Sequence, residues 1–72
     1  MATRQYNKLK RVLKQKKRTG KWLAEELGVE ESTVSRWCQN LRQPSVQTLF
    51  DIAELLHVEP GELLVKLEED KS

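Results

Sequence analysis

The 72-residue sequence is poor in the residues from which disulfide frameworks, metal sites and many active sites are built. It has one cysteine, which excludes an intrachain disulfide, and one histidine. The sequence shows no metal-ligand spacing, no paired nucleophile and base, and no glycine-rich phosphate loop. We therefore expect the protein not to be an enzyme, and we expect it to have no catalytic residues, no metal site and no cofactor.

Long apolar runs are also missing. No stretch approaches the ~20 apolar residues that span a bilayer, and none resembles the core of a signal peptide. No serine- or glycine-rich linker, repeat or low-complexity segment divides the chain. A chain this short buries about 60–65% of its unfolded surface, which allows one helical core. The sequence therefore predicts a single cytoplasmic domain with no membrane contact.

Acidic residues are absent from residues 1–21, which hold nine of the 13 lysines and arginines. Residues 22–72 hold the other four, together with all 11 acidic residues. The net charge is only +2, but the two parts of the sequence carry opposite charge, so the molecule is dipolar. The basic end would attract a polyanion by counterion release, although a solvated helix face with a basic tail is an equal alternative. The basic residues of this end are Arg4, Lys8, Lys10, Arg11, Lys14, Lys16, Lys17, Arg18 and Lys21.

The stretch from Thr19 to Trp37 has the pattern of two short helices joined by a tight turn. Thr19 is a suitable N-cap for a helix over about Lys21–Leu27, and Gly28 suits the left-handed conformation that ends it. Another helix follows over about Glu31–Asn40. Two helices that meet in this way form a helix-turn-helix, which places its second helix in a DNA groove. Sequence-specific DNA binding is therefore the leading hypothesis.

Apolar spacing predicts three more helices and no strand. The first helix covers about Tyr6–Lys17. Ser45 caps a fourth helix, and His57 ends it in a left-handed conformation. Its apolar stripe consists of Leu49, Ile52, Ala53 and Leu56. A fifth helix begins with Pro60 at its first position, and we expect Leu63 to reach the core.

The third helix has two distinct faces. By helical spacing, the face directed to the core consists of Val34, Trp37 and Cys38. The opposite face carries Ser32, Arg36 and Gln39, whose hydrogen-bonding groups suit the major groove, where arginine binds guanine bidentately. An ordinary solvated face is the alternative, and the preceding turn motif favours DNA.

These motifs resemble the Xre-type helix-turn-helix domain of phage repressors and many bacterial regulators. The resemblance covers Thr19 to Leu64 and rests on Trp22-Leu23-Ala24, Leu27-Gly28-Val29, Ser32-Thr33-Val34-Ser35-Arg36-Trp37, Pro44-Ser45, Thr48-Leu49, Ile52-Ala53 and Leu63-Leu64. It implies an all-α, five-helix, phage repressor-like bundle with a helix-turn-helix formed by the second and third helices. From the residues themselves we expect a flexible segment at 1–5, the DNA-binding domain at 6–67 and a polar tail at 68–72 that frays. It also implies a bacterial or phage-encoded, nucleoid-associated transcriptional regulator that binds double-stranded DNA as a homodimer.

Residue by residue, the resemblance implies base contacts from Glu31, Ser32 and Arg36. The implied phosphate contacts are Thr19, Gly20, Lys21, Thr33, Gln39, Asn40, Arg42 and Gln43. The sequence departs from the family at Gly20, where a glutamine is common, so only the backbone remains to hold a phosphate there. Acidic Glu30 and Glu31 also oppose phosphate, and Glu31 would select cytosine or lower the affinity.

Two further features leave alternatives open. Leu13 and Cys38 stand where the family often pairs arginine with glutamate, so we expect these two apolar side chains to touch. The C-terminal helix has the surplus apolar residues Leu64, Val65 and Leu67, which together with Phe50 of the fourth helix either form the homodimer surface or close the bundle. A protein-interaction module, antitoxin-like or anchoring, with weak or lost DNA binding, is the alternative function.

Overall fold

The computed structural model describes residues 4–66, and these form a helical domain. The elements are α1 (Leu9–Gln15), α2 (Gly20–Leu27), α3 (Glu31–Cys38), α4 (Val46–Leu56) and a 3₁₀ turn (Pro60–Leu63). No strand forms within the described residues, where the only β-type pairing is an isolated antiparallel bridge between Asn7 and Leu64. The all-α class and the absence of strands are confirmed for these residues. The prediction of five α-helices is not, because four α-helices form. Leu67 and the tail predicted at 68–72 lie outside the described residues.

The predicted caps at α2 and α4 are confirmed. The Thr19 hydroxyl accepts a hydrogen bond from the Trp22 backbone N–H at 3.0 Å, and the Ser45 hydroxyl accepts one from the Thr48 N–H at 3.1 Å. At the other ends, Gly28 and His57 adopt left-handed conformations, with φ of 70° and 58°. Local residue chemistry therefore sets the limits of both helices.

The first helix is shorter than its predicted span, Tyr6–Lys17. The Asn7 side chain accepts a hydrogen bond from the Leu9 N–H at 3.0 Å, so the chain is not helical before Leu9. At the other end, Lys17 takes a φ of 57°, which ends the helix. The third helix stops at Cys38 rather than Asn40, because Asn40 itself is left-handed with a φ of 59°.

The predicted fifth helix is a 3₁₀ turn of four residues. Its start is as expected, with Pro60 at the first position and a reciprocal capping box between Glu59 and Glu62. It ends after one turn because its backbone pairs with the N-terminal segment. The Leu63 carbonyl accepts from the Lys8 N–H at 2.8 Å, and the chain then leaves the turn in an extended conformation.

A single core lies where the helices meet. Its buried apolar residues are Leu9, Val12, Leu13, Leu23, Ala24, Val34, Trp37, Ile52, Ala53, Leu56 and Leu63. Leu63 is fully buried, as predicted, and Trp37 is 6% exposed. Among residues 4–66, none of the helices combines the length and the apolar character needed to cross a bilayer. The core thus fixes α3 by one face and leaves its other face on the surface.

Candidate nucleic-acid interface

The helix-turn-helix is formed by α2, a turn at Gly28–Glu30, and α3. The Val29 N–H donates to the Ala24 carbonyl at 3.0 Å, which closes the end of α2 and directs the chain into α3. At the start of α2, a Cβ atom on Gly20 would lie 3.4 Å from Cγ1 of Val34. The two helices therefore approach closely at this point, although the space admits a side chain.

The two predicted faces of α3 are present in the structure. Val34 is fully buried and Trp37 is 6% exposed, whereas Cys38 is half-buried beside the core. On the other side, Ser32 and Arg36 are exposed and stand one helical turn apart. The helix is therefore anchored by valine and tryptophan, and it presents a hydroxyl and a guanidinium to the outside.

The remaining residues implied as DNA contacts lie at four places: the start of α2, the first turn of α3, the C-cap of α3 and the loop after it. Thr19, Gly20 and Lys21 start α2, where Thr19 and Lys21 are exposed and Gly20 is half-buried. Glu31 is exposed, while Thr33 is half-buried in the first turn of α3. Gln39 is exposed, and its amide donates to the Ser35 hydroxyl at 2.9 Å. The last group, Asn40, Arg42 and Gln43, occupies the loop between α3 and α4.

The side chain of Asn40 does not face outward as expected, because it is 7% exposed and bonds to the N-terminal segment. Its Oδ1 accepts from the backbone N–H groups of Tyr6 and Asn7 at 2.8 and 3.0 Å, and its Nδ2 donates to the Asn7 carbonyl at 3.2 Å. The left-handed backbone of Asn40 directs the side chain toward these groups. Asn40 therefore shapes the loop after α3 from within.

Asn7 is the residue that the sequence interpretation missed. It is 2% exposed, and its Nδ2 donates to the Trp37 carbonyl at 3.0 Å and to Gln43 Oε1 at 2.7 Å. The exposed residue Gln43 thus has its amide held by this network, since it also donates to Asn40 Oδ1 at 3.3 Å. One sequence signal was present: an asparagine two residues before the first apolar residue of a helix commonly bonds to that backbone.

A surface groove of about 470 Å³ is lined by residues of both α1 and α3. Lys10, Lys14 and Arg18 line it from the α1 side, and Leu13 and Cys38 both line its floor. Burial raises the pKa of the Cys38 thiol, and the nearby charge of Lys10 opposes this shift with a smaller effect. The thiol is therefore protonated at neutral pH, and direct contact between Leu13 and Cys38 stays a prediction.

The turn between α1 and α2 carries a cation–π pair. The Arg18 guanidinium lies over the Trp22 ring, 4.6 Å from its centroid. Trp22 is half-buried, so one side of its ring packs against the core while Arg18 covers another part. The pair fixes the position of one cation at the edge of the groove.

No group of three or more His, Cys, Asp or Glu residues within residues 4–66 is arranged to hold a metal ion. The surface features of these residues are instead the exposed face of α3, the loop after it and the cations of α1. Each belongs to an open surface and none to an enclosed cavity.

The comparisons with known proteins agree with this geometry. A helix-turn-helix family of the Xre type matches residues 9–63. Among solved structures, the chain is similar to a candidate DNA-binding protein from Bacteroides fragilis, with 50% identity and a TM-score of 0.83. That match covers 83% of this chain and 97% of the other. No curated protein matches the sequence.

Proposed function

The chain belongs to the Xre-type helix-turn-helix family, and we propose that it is a sequence-specific transcriptional regulator that inserts α3 into the major groove of double-stranded DNA. The observation that carries this proposal is the exposed pair Ser32 and Arg36, held outward by the buried Val34 and Trp37. A major groove admits an α-helix, and its base edges match serine and arginine side chains. The candidate DNA-binding protein from Bacteroides fragilis gives the proposal further support.

In this proposal, base contacts come from Arg36, Ser32 and Glu31. Arg36 binds guanine, and Glu31 accepts from cytosine N4 or weakens the binding of phosphate. Phosphate contacts come from the start of α2, from the first turn of α3, and from the end of α3 and its loop. They are Thr19, Gly20, Lys21, Thr33, Gln39, Arg42 and Gln43. Asn40 acts by holding the loop in shape, since its side chain is buried.

Selection of bound sites from random duplex DNA tests this function directly. We expect one enriched motif, and we expect Arg36→Ala to broaden it at one or two base pairs. Wild-type protein that enriches no motif, yet is folded by circular dichroism, would contradict sequence-specific recognition. The same selection reports the symmetry of the site.

We also propose that the protein binds as a homodimer on a pseudopalindromic site. The predicted dimer surface at the C-terminal helix requires adjustment, because that segment is a short turn with Leu63 buried. Phe50 and Leu64 are 56% and 42% exposed, and Leu41 and Val46 are more exposed still. Val46 and Phe50 lie one turn apart on α4, and Leu41 lies in the loop after α3.

The dimer has a geometric signature in the DNA. Half-sites should lie about 34 Å apart, one helical turn of DNA. Phe50→Ser should weaken association, measured by sedimentation at micromolar concentration, while Val29→Ser, an apolar residue 37% exposed in the turn before α3, should not. An asymmetric site together with a monomeric mass would refute the homodimer.

The same exposed apolar side chains support a second function, a protein-interaction module with weak DNA binding. Glu30 and Glu31, exposed around the first turn of α3, favour this alternative because they repel phosphate. Salt dependence separates the two functions: a steep loss of duplex affinity with added salt supports the regulator. Failure to bind any duplex at low salt supports the interaction module.

A further inference from the structure

The groove between α1 and α3 is strongly positive on one wall. Lys10 and Lys14 stand one turn apart on α1, Arg18 follows in the turn after it, and all three are exposed. Across the groove, Glu31 is the one charged residue that α3 contributes to the lining. Three cations therefore face a single carboxylate. None of the three belongs to the DNA contacts assigned above.

The other side of α1 is closer to electrical balance. Arg11 lines a separate hollow there, together with Lys8 and Lys66, and the carboxylates of Glu59 and Glu62 lie on the same hollow. Arg11 therefore faces the 3₁₀ turn and its acids rather than α3. A polyanion that follows α3 would meet the groove side of α1 and would not meet Arg11.

One contact holds a cation of the groove in place before DNA arrives. The ring of Trp22 restricts the Arg18 guanidinium, which lies 4.6 Å from the ring centroid. Arg18 is therefore partly fixed before any ligand arrives, which lowers the entropy cost of binding at this position.

We infer that Lys10, Lys14 and Arg18 form a phosphate-binding row that holds the sugar-phosphate backbone of double-stranded DNA along α1. The inference rests on the proposed function, because a helix in the major groove brings its neighbour to the bordering backbone. DNA carries one phosphate per ~3.4 Å of axis in each strand, and one α-helical turn advances about 5.4 Å. The row thus spans at least two phosphates, and it adds sequence-independent affinity to the base contacts of α3.

The test compares substitutions on the two sides of α1. Lys10→Gln, Lys14→Gln and Arg18→Gln are made singly and together, and Arg11→Gln is the matched control with the same charge change. Binding to the selected duplex and to a scrambled duplex is measured over a range of salt concentrations. We expect the combined variant to lose affinity for both duplexes by a similar factor. The slope of log affinity against log salt should become shallower by about 0.9 for each phosphate that the variant no longer neutralises.

Arg11→Gln should retain the wild-type affinity and slope, and Arg18→Lys should retain the slope because it keeps the charge. All four positions are exposed, so thermal melting should be unchanged for the lysine variants and for Arg11→Gln. Arg18→Gln should lower it slightly, because the variant loses the cation–π pair with Trp22, and the single variants carry the test if the combined variant unfolds. If the wild-type protein binds DNA and the variants at Lys10, Lys14 and Arg18 show the same affinity and salt slope as Arg11→Gln, the inference is overturned and the proposed function stands. Loss on the selected duplex alone, at an unchanged slope, would also overturn it. Wild-type protein that binds no duplex would overturn both.

Discussion

The buried amide of Asn40 should be among the most sensitive positions in the protein. Replacing it with glycine keeps the left-handed backbone, since φ is 59° there, and removes only the side chain. The N–H and C=O groups of Asn7 then lose their partner, and both lie in a buried environment. An unsatisfied buried polar group costs about 1–3 kcal/mol, so we expect a destabilisation of about 2–4 kcal/mol. That is a large part of the roughly 4–10 kcal/mol typical of a domain this small.

Urea denaturation followed by circular dichroism measures this loss. Asn40→Ala should be worse than Asn40→Gly by about 1–2 kcal/mol, because alanine is strained in the left-handed conformation. Gln39→Ala is the matched control: its exposed amide bonds only to the Ser35 hydroxyl, and its effect should stay within about 0.5 kcal/mol. If Asn40→Gly behaved like Gln39→Ala, the network would contribute nothing to stability, and the reasoning would be refuted.

Three further predictions concern stability and DNA affinity. Leu13→Arg should destabilise the fold by roughly 1–3 kcal/mol or more, because it puts an unpaired charge at a site that is 4% exposed. The predicted contact between the Leu13 and Cys38 side chains has its own test: an experimental structure in which they lie more than about 4.5 Å apart would contradict it. Gly20→Gln should strengthen binding to duplex DNA, because the Cβ fits 3.4 Å from Val34 and the amide can reach a phosphate; weaker binding by a folded variant would contradict this. The raised pKa of Cys38 means that the folded state holds the thiol proton more tightly than the unfolded state does. The protonated thiol therefore contributes fully to the free energy of unfolding below the unfolded-state pKa near 9.0, and this contribution is lost as the pH rises through the folded-state pKa. Unfolding measured from pH 8 upward should therefore show a smaller alkaline loss in Cys38→Val, and equal losses would refute the assignment.

The parts of this fold that depend on local chemistry could be predicted from the sequence. Thr19 and Ser45 are caps because their hydroxyls reach a backbone N–H three residues away. His57 ends α4 as expected, although the residue is not glycine. The outward direction of Ser32 and Arg36 followed from helical spacing alone. Each of these features needs information from only a few neighbouring residues.

The errors arose where distant segments compete for the backbone. Asn7 and Asn40 are separated by 33 positions, so their mutual hydrogen bonds leave no periodic signal. These bonds explain why the Asn40 amide faces inward, and the bond from the Leu9 N–H to the Asn7 side chain explains why α1 begins later than predicted. The prediction of a fifth α-helix was wrong for a similar reason, because the Leu63 carbonyl accepts from the Lys8 N–H rather than from a further helical turn.

The central claim is that α3 reads DNA bases through Arg36. The most direct measurement is the affinity of Arg36→Ala for the selected duplex and for a scrambled duplex of equal length. We predict a loss of roughly 1–3 kcal/mol on the selected duplex, with nearly unchanged binding to the scrambled one. Equal losses on both duplexes would mean that Arg36 only holds phosphate, and base reading by this residue would be contradicted.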